Sequence, residues 1–394
     1  MKGLFVLCLI FVIASPCLCQ NYFNVVKYGA KGDGHTDDSN AFTNAWQDVC
    51  GSTRDTPTLI IPEGQNFMLQ PLSFQGPCKS TTISVKIMGT ITAPQSNANW
   101  KWDDNDGDYW IKFSNINGLI INGGGTVDGQ GDSWWNNNGH IRPTALKILE
   151  CDNLKLGPLK HINSPRNHIS IVGCNDALIS NLHIIAPKDS PNTDGIDIST
   201  STNISVQHSI ISTGDDCIAI NNGTEFIYIT DIQCGPGHGI SVGSLGKDGD
   251  YSTVEEIHVS NITFRETTNG ARIKTWTGGS GYARKITYED IIVFKVENPV
   301  IIDQQYDALE PLKTKYNVLE GVSKAVKVSD VIFRNIRGTT NGKDAIDLNC
   351  ARIGCTNIIL EDIDIVDLDG KKASASCNSV QGSCSSCNPQ VSCL

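Results

Sequence analysis

The chain repeats itself. Between residues 110 and 366, short β-branched triplets recur among turns rich in Gly, Asn, Asp and Ser: Ile169-Ser-Ile171, Ile196-Asp-Ile198, Ile218-Ala-Ile220, Ile240-Ser-Val242, Ala271-Arg-Ile273, Val300-Ile-Ile302 and Ile346-Asp-Leu348. Successive triplets are offset by 27, 22, 22, 31, 29 and 46 residues, and second strands lie between them, at Ile204-Ser-Val206, Ile227-Tyr-Ile229, Ile257-His-Val259 and Val326-Lys-Val328. Such a period, with almost no helical pattern, marks a solenoid whose turns bury their apolar faces only by stacking. The expected fold is all-β, a single-domain right-handed parallel β-helix. A β-sandwich would need hairpin signals between neighbouring strands, and Asn-Gly pairs at that spacing are infrequent. One helical pattern stands out: Ala41, Phe42, Ala45, Trp46 and Val49 share a face. A helix over residues 37–49 should cap one end, with Asp37 and Asp38 in its first turn, where the helix dipole favours acids. The glycine-rich stretch Asn24 to Gly34 lacks the Gly-Lys-Ser/Thr ending of a phosphate loop and reads as turn chemistry.

The N-terminus places that fold outside the cell. Lys2, a dozen apolar residues and small residues at Cys17 and Cys19 read as a secretory signal over residues 1–19, leaving residues 20–394 as the mature domain. The run is short of the ~20 residues that span a bilayer. Its removal takes away Cys8, Cys17 and Cys19 and leaves twelve cysteines, an even number that reads as disulfides in an oxidising compartment. Cys377, Cys384, Cys387 and Cys393 are expected to bridge within the tail, with their pairing open. Asn203, Asn222 and Asn261 open glycosylation sequons. A formal net charge of −11, or −12 after loss of Lys2, excludes a general nucleic-acid or anionic-membrane binder.

Stacking turns the period into geometry. Equivalent residues of adjacent coils lie about 4.8 Å apart, so Asp194, Asp216 and His238, each two residues before a triplet and 22 apart, fall in one column. Asp215 adjoins Asp216. In the next coil Arg272 and Lys274 flank the inward Ile273 and should project outward together. Three crowded carboxylates repel, so some stay protonated. Glycosidic cleavage needs that contrast: one carboxyl protonates the leaving oxygen while another activates water. The two cations suit a substrate carboxylate.

At these residues the sequence resembles the polygalacturonases, which hydrolyse the galacturonan backbone of pectin. The matches are Ser190-Pro-Asn-Thr-Asp-Gly195, Thr213-Gly-Asp-Asp-Cys217, Cys234-Gly-Pro-Gly-His-Gly-Ile240, Arg272-Ile-Lys274 and Asn298-Pro-Val-Ile-Ile-Asp-Gln-Gln-Tyr306, with Asn24 to Gly34, over nearly the whole mature chain. The resemblance implies a pectin-lyase-like solenoid, an inverting hydrolase without cofactor or metal, and polygalacturonate as partner. It makes Asp215 the general acid, Asp194 and Asp216 the activators of water, and His238 the residue that tunes Asp215. Arg272, Lys274 and Tyr306 would bind the galacturonate at the cleavage point, and Asn192 would line the cleft. Endo cleavage in the cell wall by a monomer is expected. Cys217 should pair with Cys234, bracing the loop of Asp216, and Cys50 with Cys78.

The chain also departs from the plant pattern. Asp307 and Leu312 stand where plant members carry cysteines, which reads as one lost disulfide; the loop after Trp134-Trp135, Asn136 to His140, is short; and Asp197 stands where many plant members have histidine. The rival readings are a rhamnogalacturonan or xylogalacturonan hydrolase, a calcium-dependent pectate lyase, and a non-catalytic pectin-binding wall protein.

Overall fold

The structure, a computed structural model, describes residues 21–102, 107–135, 142–306 and 324–394. The secretory segment, the loop after Trp135, Asp307 and Leu312 lie outside the described residues.

Every predicted triplet of the first series enters one sheet. Eleven strands, from Leu72–Gln75 to Ser374–Asn378, pair in parallel to form the front wall of a right-handed β-helix. Its register runs Ile169, Ile196, Ile218, Ile240, Ala271, Val300, Ile346 across successive coils. Both ends of each triplet point inward and are wholly buried. Each isoleucine so stacked contributes on the order of 1.5–3 kcal/mol, and neighbouring coils supply the cover.

The rest of the barrel is a second, bent sheet of nineteen strands. Its equivalent positions are Ile204, Ile227, Ile257, Ile286 and Val331. The sequence pattern is five residues early in the last of these: Val328 pairs with Ala283, and Val331-Ile-Phe333 is the triplet in register. The bend falls at one residue per coil, namely Asn181, His208, Asp231, Asn261, Asp290, Asn335 and Asp362, with φ between 49° and 56°. Asn and Asp tolerate this left-handed conformation better than other side chains, so the turn residue recurs with the coil.

The N-terminal cap is the helix Ser39–Gly51, with Ala41, Phe42, Ala45, Trp46 and Val49 buried. Trp46 packs on Phe74 and Phe113 at 5.2 and 5.8 Å. The two aspartates stand just before the helix, not inside its first turn. Asp38 turns back to accept from the Lys31 and Gly32 amides at 2.7 and 3.0 Å, while Asp37 accepts from Ser39 N and Oγ. Turn bracing is therefore their role.

The disulfides Cys50–Cys78 and Cys217–Cys234 form as expected, and Cys350–Cys355, Cys377–Cys393 and Cys384–Cys387 join them. Even parity misled for the remaining pair. Cys151 and Cys174 are buried thiols in adjacent coils, with the Cys151 amide donating to the Cys174 Sγ at 3.3 Å.

Candidate active site

The front wall carries its polar column two positions ahead of the core triplets. In register these are Thr144, Asn167, Asp194, Asp216, His238, Asn269 and Asn298. Main-chain bonds hold the turns on the same rungs: Gly195 N to Asp216 O, Cys217 N to Gly239 O and His238 N to Asp215 O, all 2.8 Å. Gly214 is required for the close approach of these turns, because a Cβ there would sit 2.0 Å from Ser190 O. Thr193 Oγ1 accepts from the Gly214 amide at 3.0 Å and fixes the turn that presents Asp215.

Asp215 keeps part of its side chain at the surface, 18% exposed. Its Oδ1 meets His238 Nδ1 at 2.9 Å and the Asp216 amide at 2.8 Å, and its Oδ2 accepts from Asn192 Nδ2 at 3.4 Å. Asn192 is in turn clamped by Arg142, which donates to Asn192 Oδ1 and Pro191 O at 2.5 Å.

Asp216 is a different group, with no exposed surface. Oδ1 accepts from Arg272 at 2.5 Å and Ser241 Oγ at 2.8 Å, and Oδ2 accepts from Lys274 Nζ at 2.8 Å. Burial pushes its pKa up, but the two cations and their hydrogen bonds outweigh that and hold it below the ordinary value. Arg272 and Lys274 do leave the outer face of the sheet as expected. Arg272 and Lys274 lean back across Ala219, Ser241 and Gly243, whose small size leaves room for long side chains. Both cations are thereby engaged with the protein's own carboxylate. Tyr306 is beside them, its ring 5.2 Å from Lys274 Nζ and 5.5 Å from Trp276.

Asp194 is pushed well above the ordinary value, first by burial and then by Asp197, Asp215 and Asp216. Asp197, also raised by burial, reaches about 7 despite the pull of Arg166. Its Oδ1 is buried without a partner. The site thus holds one fixed anion, Asp216, and two carboxyls biased toward the neutral form, Asp194 in the column and Asp197 beside it.

Oxygens of Asp215 and Asp216 and a nitrogen of His238 lie within 4.8 Å of one another, as metal ligands can. Here Asp216 is saturated by cations and His238 Nδ1 is bonded to Asp215, so an added metal ion would sit against Arg272 and Lys274.

The profile of the glycosyl hydrolases of family 28 matches residues 50–387. The chain belongs to that family. A probable polygalacturonase of Arabidopsis thaliana is 50% identical to this family 28 chain over 379 residues, 95% of this chain and 81% of its own. Polygalacturonases of Persea americana and Solanum lycopersicum are 42% and 40% identical, each over 91% of this chain and 77% and 78% of their own. Among solved structures, the endo-xylogalacturonan hydrolase of Aspergillus tubingensis superposes with a TM-score of 0.79 at 25% identity, covering 92% of this chain and 100% of its own. The polygalacturonase of Erwinia carotovora does so with 0.70 at 24% identity, over 88% and 93%.

Of the residues picked from sequence, Asp194, Asp215, Asp216, His238, Asn192, Arg272, Lys274 and Tyr306 gather on the front wall of this glycoside hydrolase. Three more were missed. Asn167 lies one step back along the same column, and extending the register by one coil would have found it. Ser241 sits in plain view between two core residues. Arg142 precedes the first triplet, and no periodicity points to it. No helix among the described residues is long and apolar enough to cross a membrane.

Proposed function

We propose that this chain is a secreted polygalacturonase that hydrolyses the α-1,4 linkages of demethylated galacturonan in the cell wall, by endo cleavage with inversion. The observation that carries it is the stacked Asp194, Asp215 and Asp216, whose environments differ in one family 28 cleft. Asp215, exposed to the cleft and oriented by His238, is suited to protonate the leaving oxygen. Asp194, in the fraction of molecules in which it is ionised, takes the proton of the attacking water, its raised pKa making it a stronger base than Asp216. Asp216 supplies fixed negative charge behind that water and an anchor for Arg272 and Lys274, which with Tyr306 border the sugar at the cleavage point.

Asp215 and Asp216 come closer than the ~6.5–9.5 Å usual for an inverting pair. That rule supposes a second carboxylate able to reach the sugar. Asp216 is covered and both its oxygens are engaged, which favours attack by water over a covalent intermediate. The xylogalacturonan reading rests on a relative at 25% identity, whereas the 40–50% relatives above are polygalacturonases.

Unesterified galacturonan treated in the presence of chelator should yield new reducing ends, inverted at the anomeric carbon by proton NMR, with a ladder of short oligomers. Asp215→Asn should lower kcat by ~10²–10⁴-fold with the fold intact by circular dichroism. Ultraviolet-absorbing unsaturated ends that vanish with chelator would establish a lyase instead.

A further inference from the structure

Cations around the aspartates are nearly all engaged. Arg272 and Lys274 are on Asp216, and Arg142 is on Pro191 and Asn192. Arg166 differs: it is exposed, and among the described residues it makes no hydrogen bond or ion pair. It occupies the turn between the strands Leu159–Ile162 and Ile169–Val172, one residue before Asn167 of the polar column. That is the coil preceding Asp194, whereas Lys274 and Tyr306 lie beyond His238. The acids therefore have an engaged basic pair on one side and a free guanidinium on the other.

We propose that Arg166 is the anchor for the carboxylate of a second uronate unit of the bound polymer, across the cleavage point from Lys274 and Tyr306. This rests on the galacturonan reading above. A polyanion laid along four carboxyls needs positive charge on both sides, and on this side the unengaged guanidinium can grip a carboxylate with two parallel hydrogen bonds.

Asp197 is its competitor. It shares a rung with Ser170 and Ala219, its Oδ1 lacks a partner, and Arg166 is the strongest of the charges acting on it. Asp194, Asp215, Asp216 and Lys274 also face this carboxyl, and Lys147, two rungs back in its column, is held by Asp108 at 2.6 Å. Neutral Asp197 leaves the guanidinium to the substrate. Ionised Asp197 claims it and repels the polymer, so affinity falls as pH passes about 7.

The test is inhibition by a galacturonate oligomer and by its methyl ester, after wild-type hydrolysis of galacturonan has been measured. Arg166→Gln should weaken the free acid by roughly ten-fold or more while changing the ester little, and Arg166→Lys should recover part of the loss. Equal inhibition constants in wild type and Arg166→Gln would overturn the anchor. KM should rise through about pH 7 in wild type and stay flat in Asp197→Asn; a rise in both would overturn the competition. A wild type inert on galacturonan would overturn the underlying reading and this inference together.

Discussion

Two outer faces of the same β-helix carry stacked charges, and they treat them oppositely. On the nineteen-stranded sheet, the back wall, Arg284 meets Glu255 at 2.9 Å, Arg334 bridges Glu361 and Glu289 at 2.7 and 3.2 Å, and Lys285 meets Glu256 at 2.7 Å. Cations and acids there alternate at a wet surface. On the front wall, four carboxyls share a cleft, two cations are drawn to a single buried one, and the others bear their mutual repulsion. Register decides which residues meet, whereas burial and the ratio of signs decide what the meeting is worth. A solvated ladder is worth little per pair, and a buried cluster is costly to disturb.

Removing a cation from each wall exposes that contrast. Arg272→Ala leaves Asp216 buried with half its compensation, and should destabilise by about 3–5 kcal/mol, read as a lower urea midpoint with an unchanged slope. A loss as small as that of a surface pair would make the two walls equivalent.

Asp197→Asn sharpens the comparison in the other direction. Its folded pKa of about 7 lies above the ordinary 3.8, so the folded state binds the extra proton and stability falls as pH rises between those values. The neutral variant should be more stable by on the order of 1–3 kcal/mol above pH 7, and the gain should vanish near pH 4. Equal thermal stability of the two proteins at both pH values would refute this.

His161 runs the opposite way. It faces the core in register with Ile184, neither ring nitrogen has a partner, and burial lowers its pKa from 6.5 to about 3. The unfolded chain takes its proton first, so stability falls as pH drops below 6.5. His161→Leu should remove up to one proton from that slope, about 1.4 kcal/mol per pH unit, measurable by denaturant unfolding at several pH values.

The smallest effect belongs to the back wall. A double-mutant cycle on Arg334 and Glu361 should give a coupling of ~0.2–1 kcal/mol, diminishing with added salt. A coupling of several kcal/mol there would remove the distinction between the walls.

The walls also differ in how far sequence discloses them. The front column could be read because Ile-x-Ile recurs at 22 residues, and any polar residue at fixed offset from it must stack. The partners of Asp216 could not be read, because reach depends on side-chain length over Ala219, Ser241 and Gly243, which spacing does not encode. Lys327 and its flanking valines alternate just as Val331-Ile-Phe333 does, so pattern alone offered two phases and the wrong one matched. Cysteine parity counted thiols without saying which could meet; Cys151 and Cys174 are neighbours in adjacent coils and remain unbridged.

The front strands keep their rungs whether the intervening stretch has 22 residues or 46, as from Val300 to Ile346. Core and rim are thus separable inheritances. Lengthening a loop two-fold adds only about 0.6 kcal/mol of closure entropy, while the isoleucine stack beneath is untouched. The walls of the groove can be redrawn by insertion, coil by coil, over acids whose spacing never changes. In such a scaffold, new specificity comes from editing the margins of a text whose lines are already ruled.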